Sequence, residues 1–160
     1  MSPRGARFGA CLASLWLLAA GGALASPKSL DKPAAPPRPP DAQLAAALDQ
    51  LAPQRPGRPD LYVLGFAGDG SEQVFRNEVG YLRDLFEQRF DAAGRVVLLA
   101  NHAATPPARP LPEADARTLR EALAGIAARM DPEEDLLLAY FTTHGTEQHE
   151  LLIRREGRDD

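Results

Sequence analysis

The sequence predicts an α/β domain, a parallel sheet with helices packed on its faces, on three observations. Short apolar runs at 61–66, 96–99 and 136–141 have the length of strands. Between them lie longer segments whose apolar residues recur every three or four positions, the spacing of one helix face. The third run is apolar throughout, as expected for a strand buried on both faces of a parallel sheet. Strands alternating with amphipathic helices make parallel neighbours, because each crossover carries the chain back to the start of the sheet. Right-handed crossovers fix the hand of both units.

Residues 1–25 read as an export signal. Arg4 and Arg7 precede an apolar run over 8–20, and Ala23-Leu24-Ala25 closes the segment before Ser26. This is the charged, apolar, A-x-A order that signal peptidases cut. An uncleaved anchor is the alternative, but the run is shorter than the ~20 residues of a spanning helix and ends in Gly21-Gly22. Cys11 precedes most of the run, the wrong place for lipidation, and it is the only cysteine in the chain. The mature protein is therefore expected to hold neither a disulfide nor a thiol. Cleavage removes two positive charges and no acid, taking the net charge from −4 to −6. Such a chain is a poor partner for nucleic acid or an anionic membrane. Lysine occurs only at positions 28 and 32, and Ala, Pro, Gly and Arg are abundant, as in GC-rich bacterial genomes. The expected location is periplasmic or extracellular, with no membrane-embedded part in the mature chain.

Residues 26–59 read as a linker. Its stretch 27–40 is proline-rich and extended. Asp41 then caps a short helix with Leu44, Leu48 and Leu51 on one face, and Pro53, Pro56 and Pro59 follow it. The domain proper is 60–160. Its first strand runs into Gly68-Asp69-Gly70. A helix over 71–90 carries Phe75, Val79, Leu82, Phe86 and Phe90. Gly94 leads to the second strand, and residues 101–112 form a loop. A helix over about 114–130 turns Leu119, Leu123, Ile126 and Met130 inward and breaks at Asp131-Pro132. After the third strand come Thr142-Thr143-His144-Gly145, a possible short strand at 151–153 and a charged tail. These three strands and two helices occupy only about 100 residues, so the sheet is narrow, its edges are open, and the end has the look of a truncation.

Open α/β sheets bind ligands at the carboxyl ends of their strands. Three groups fall there: 65–70, Asn101-His102 and 142–145. The first is G-x-x-G-x-G, the reverse of the dinucleotide fingerprint, and its Asp69 would repel a pyrophosphate. A tight turn with close packing explains it better than nucleotide binding, and export argues against a nucleotide-binding domain as well. His144 follows a long apolar strand directly, which lifts it out of the core into the crevice. A histidine so placed suits acid–base chemistry, and the amide of Gly145 suits an oxyanion hole. The alternative is a strand-end histidine bonded to a neighbouring turn. His102, His144 and His149 have no metal-ligand spacing around them, so His102 and His149 read as surface-loop residues. No cofactor and no metal are expected.

The segment Asp135-Leu-Leu-Leu-Ala-Tyr-Phe-Thr-Thr-His-Gly-Thr146 resembles the strand-to-histidine segment of the legumain-like cysteine peptidases, which have the caspase-type fold. Residues 61–66 are similar to that family's first strand, and Phe75-Arg76-Asn77-Glu78-Val79 to the opening of its first helix, where the family has Asn-Tyr-Arg-His. The similarity is closest to bacterial exported members and runs over about 58–153. It implies the N-terminal part of a caspase-like domain and an endopeptidase cutting peptides or proteins after Asn or Asp. His144 is then the base, Gly145 an oxyanion donor and Arg76 a substrate-pocket residue; a solvated helix arginine is the alternative for Arg76. Two features depart from the family. Val74 stands where it places an asparagine that helps orient the histidine, and the nucleophilic cysteine, which follows the next long strand, is not among the 160 residues. The chain as given is therefore expected to be inactive, and a non-catalytic peptide-binding module or pseudoenzyme is the alternative. The DNA beyond Asp160 is expected to encode the missing strand and cysteine.

Overall fold

The computed structural model describes residues 41–103 and 110–155. Residues 1–25, read as an export signal, the proline-rich stretch 27–40 and the end of the charged tail lie outside the described residues. Every described element belongs to one compact unit, residues 38–160.

The elements are α1 (Ala42–Asp49), β1 (Leu61–Ala67), α2 (Gln73–Arg89), β2 (Val96–Ala100), α3 (Ala116–Ala127) and β3 (Leu136–Thr142). The strands form one parallel sheet in the order β2-β1-β3. The two crossovers run in opposite directions across it, so equal handedness puts α2 and α3 on opposite faces. Alternation along β1 serves both layers. Tyr62, Leu64 and Phe66 join Val97, Leu99, Ala122 and Ile126 in one apolar cluster. Val63 and Ala67 face the α2 side with Val79, Leu82 and Leu98.

Both capping aspartates hold their helices. Asp41 Oδ1 accepts the amides of Gln43 (2.8 Å) and Leu44 (3.1 Å), and Asp115 Oδ1 accepts those of Arg117 (2.9 Å) and Thr118 (2.7 Å). The short helix expected within a linker is part of the domain. Leu44 is buried, and Leu48 and Leu51 pack on the same cluster as α3. At the amino ends of the strands, buried Asp60 takes Arg55 Nε at 2.5 Å and Arg95 Nη2 at 3.2 Å. Burial pushes the Asp60 carboxyl up, but the Arg55 guanidinium and backbone amide, with the charge of Arg95 behind them, outweigh it and hold the carboxyl below its usual range.

Three expectations are corrected. The run at 136–141 is not buried on both faces. β3 is an edge strand, and Leu136 is 63 % and Phe141 41 % exposed. The reason is strand order: β1 takes the centre, and α3 packs over β1 and β2. The residues expected as a short strand at 151–153 contribute one isolated bridge, Leu151 with Gly145; a second, Arg154 with Asp69, falls just beyond them. Phe90, expected on the inner stripe, lies beyond the end of α2, half exposed and stacked on Phe86 with ring centroids 4.8 Å apart. Among the described residues no helix is long and apolar enough to cross a membrane.

Candidate functional site

The carboxyl ends of β1 and β3 are stitched together by the chain that follows β3. Gly68 N–H donates to Thr142 O at 3.1 Å, continuing the ladder past β1. The chain turns back after His144, with Leu152 N–H on His144 O (2.9 Å) and Thr146 N–H on Glu150 O (2.9 Å). It then crosses the β1–α2 turn, where Arg154 N–H donates to Gly68 O (2.9 Å) and Gly70 N–H to Arg154 O (2.7 Å). Gly68 permits this crossing. A Cβ there would stand 2.8 Å from Leu152 O and 2.9 Å from the Phe66 ring. Gly65 likewise lets Val79 and Leu98 approach the strand. The glycines of 65–68 thus answer to packing, and Asp69 is wholly buried.

His144 stands on the rim of this structure, half exposed. Its Nε2 is 2.8 Å from Glu72 Oε1, and the Phe75 ring meets it edge-on, centroids 5.0 Å apart at 86°. Gly145 pairs with Leu151, and the two ladder bonds around that pair belong to residues 144, 146, 150 and 152. The Gly145 N–H is therefore outside the ladder, and among the described residues nothing accepts it. A Cβ at 145 would meet only Glu150 O, at 3.7 Å, so the interior does not require glycine there.

Arg76 is one residue beyond Phe75 but points elsewhere. Its Nη1 donates to His102 O at 3.1 Å, beyond the end of β2. Partial burial, with the charge of Arg83 adding to it, holds its pKa below the usual guanidinium value. With Asn77, Arg83, Leu98 and Leu111 it lines an open cleft of about 620 Å³ that His144 does not line. The structure thus brings His144 and Gly145 together and places the Arg76 guanidinium on the β2 side of α2. His102 is half-buried, with Nδ1 2.9 Å from Ala103 O, and His149 is exposed in a turn at φ 64°. Among the described residues no three His, Cys, Asp or Glu side chains come together as a metal site.

Four polar residues shape this end of the sheet; sequence reasoning placed Asn101 and Asp69 here without their roles and missed Glu78 and Glu72. Asn101 is a buried clamp, donating Nδ2 to Gly68 O (2.8 Å) and Ala114 O (2.9 Å) and accepting Ala114 N–H (2.8 Å). Glu78, on α2, accepts the Thr142 hydroxyl. Asp69 Oδ1 accepts both the amide (2.8 Å) and the hydroxyl (2.6 Å) of Ser71, while its buried Oδ2 has no hydrogen-bond partner. Burial pushes the Asp69 carboxyl up, but the Ser71 hydrogen bonds, with the charges of Arg154 and His144 behind them, bring it below its usual range. Glu72 is the fourth. Its one local signal was a carboxylate at the start of a helix, which reads equally well as a favourable dipole contact. Compared with known proteins, the chain matches no family model, no curated protein and no solved structure.

Proposed function

We propose that this domain is the base-bearing part of an exported cysteine endopeptidase of the legumain-like type, with a caspase-like sheet, cutting after Asn or Asp. The observation that carries the reading is the rim after β3, where His144 has one ring nitrogen on a carboxylate and the next amide, that of Gly145, unclaimed. In the proposed reaction a thiol gives its proton to His144, and the thiolate attacks the peptide carbonyl carbon. The oxygen takes the negative charge against the Gly145 N–H. The imidazolium then protonates the leaving amine, and water hydrolyses the thioester by the reverse transfers. Arg76 has the role of a substrate-pocket cation, with Nη1 held on His102 O. Cys11 lies in the export signal and cannot act. The nucleophile belongs on a strand added to the open edge of β3, because a group within reach of His144 must come from an adjacent carboxyl end.

The test is turnover of fluorogenic Asn- and Asp-peptides. The 160-residue chain should show none and take no thiol-directed label once Cys11 is replaced by Ser. The chain extended by the coding DNA beyond Asp160 should show turnover that needs both a new cysteine and His144. Turnover by the Cys11→Ser chain that is lost in His144→Ala would refute the cysteine mechanism. Export predicts a mature N-terminus at Ser26 by sequencing; full-length chain in the membrane fraction would refute it.

One observation favours the second reading, a non-catalytic peptide-binding module. The open edge of β3 lies beside an apolar groove of about 450 Å³ formed by Val74, Tyr81, Leu82, Leu85 and Tyr140. An extended peptide adding a strand to that edge could place alternate side chains in the groove. Peptide binding unchanged by His144→Ala, with no cysteine downstream, would select this reading.

A further inference from the structure

We infer that Glu72 is the positioning residue of His144, holding the proton on Nε2 and leaving Nδ1 as the basic nitrogen. The inference rests on the peptidase reading for what Nδ1 does, and not for which nitrogen is free.

A carboxylate only accepts hydrogen bonds, so an Nε2 that lies 2.8 Å from Glu72 Oε1 carries the proton in both the neutral and the charged ring. Nδ1 then bears the lone pair, and among the described residues it has no hydrogen-bond partner. The edge-on Phe75 ring flanks the imidazole and restricts its rotation. Glu72 is the N-cap residue of α2, and its side chain, longer than those that favour capping, makes no bond to the helix amides. The carboxylate is turned to His144, across 72 residues of sequence. Val74, which stands where the resembled family has its orienting asparagine, lines the apolar groove on the β3 side of α2.

Among the described residues, the charged groups that act on the ring are Glu72, from the start of α2, and Asp69, from the β1–α2 turn, which is in turn faced by Arg154 of the returning segment. Arg154 Nη1 is 3.7 Å from Asp69 Oδ2, so these two partly offset one another, and Glu72 alone makes direct contact with the ring. Both partners are about half exposed, which makes the pair weaker than a buried one.

The test reads the tautomer, not activity. In the 160-residue chain with ¹⁵N-labelled histidine, long-range ¹H–¹⁵N spectra distinguish a protonated from an unprotonated ring nitrogen, and His144→Gln assigns the signals. The neutral His144 ring should carry its proton on Nε2, and Glu72→Ala should lower the Nε2-H to Nδ1-H ratio about fivefold, as expected for a half-exposed charge-assisted hydrogen bond. Glu72→Gln, whose carbonyl oxygen still accepts, should retain part of the preference. Should Glu72→Ala fail to fold, the Gln variant and wild type carry the comparison, with a Glu150→Ala control that leaves the ratio unchanged. A ratio in Glu72→Ala within twofold of wild type, or a wild-type ring protonated on Nδ1, overturns the inference but leaves His144 eligible as the base. A Glu72-dependent ratio in a protein whose extended form hydrolyses no peptide keeps the pair and removes the peptidase reading.

Discussion

Asp69 offers a substitution whose cost depends on which atom is lost. Its Oδ1 accepts two hydrogen bonds from Ser71, and its Oδ2 is buried 3.7 Å from the half-exposed Arg154 guanidinium with no hydrogen bond of its own. Asp69→Ala removes both Ser71 bonds. A hydrogen bond to a charged group contributes about 1.5–3 kcal/mol, and the second bond from one residue less, so the two bonds are worth about 3 kcal/mol; loss of the unsatisfied Oδ2 offsets about 1 kcal/mol of this and leaves a net cost of about 2 kcal/mol. Asp69→Asn keeps an acceptor at Oδ1. It gives up the Arg154 attraction, worth about 0.5 kcal/mol for an exposed partner, and exchanges a buried unsatisfied oxygen for a buried NH2 that also finds no acceptor, two costs that roughly cancel. The Asn variant should therefore lie about 0.5–1 kcal/mol below wild type. Urea unfolding of the three proteins at neutral pH measures this, provided the slopes agree. If Asp69→Asn costs as much as Asp69→Ala, the charge on Oδ2 is supported by something stronger than Arg154, and the reasoning fails.

The acid limb of stability should carry Asp60 and Asp69. Both carboxyls sit below their unfolded value, so their contribution is complete above about pH 5 and is lost as pH falls below about 4. Asp60→Asn should flatten that fall and cost about 3 kcal/mol at pH 7, because it leaves Arg95, only 6 % exposed, without its carboxylate; a parallel pH profile in the variant would refute this. Gly68→Ala should destabilise by about 1–3 kcal/mol through contact with Leu152 O, whereas Gly145→Ala should change stability by less than about 0.5 kcal/mol. Equal effects in thermal unfolding would show that the returning segment does not press on Gly68.

By itself the sequence determined the elements and their type. Helix and strand periods are local, so the stripe of Val79 and Leu82, the stripe of Leu119 and Ile126 and the three apolar runs were legible without a structure. The caps at Asp41 and Asp115 were legible in the same local way, although only Asp41 was read as one. His144 could be placed at a strand end because a strand's exit is also local. Tertiary structure alone decided what depends on strand order and on residues far apart. An apolar run looks the same in a central strand and at an edge, so the exposure of Leu136 and Phe141 could not be foreseen. Nor could the buried clamp at Asn101, the turn of Arg76 toward His102 O or the Glu72–His144 pair. Each joins groups whose separation in the chain carries no period, and only the pairing of the strands and the packing of α2 on the sheet bring them within hydrogen-bond reach.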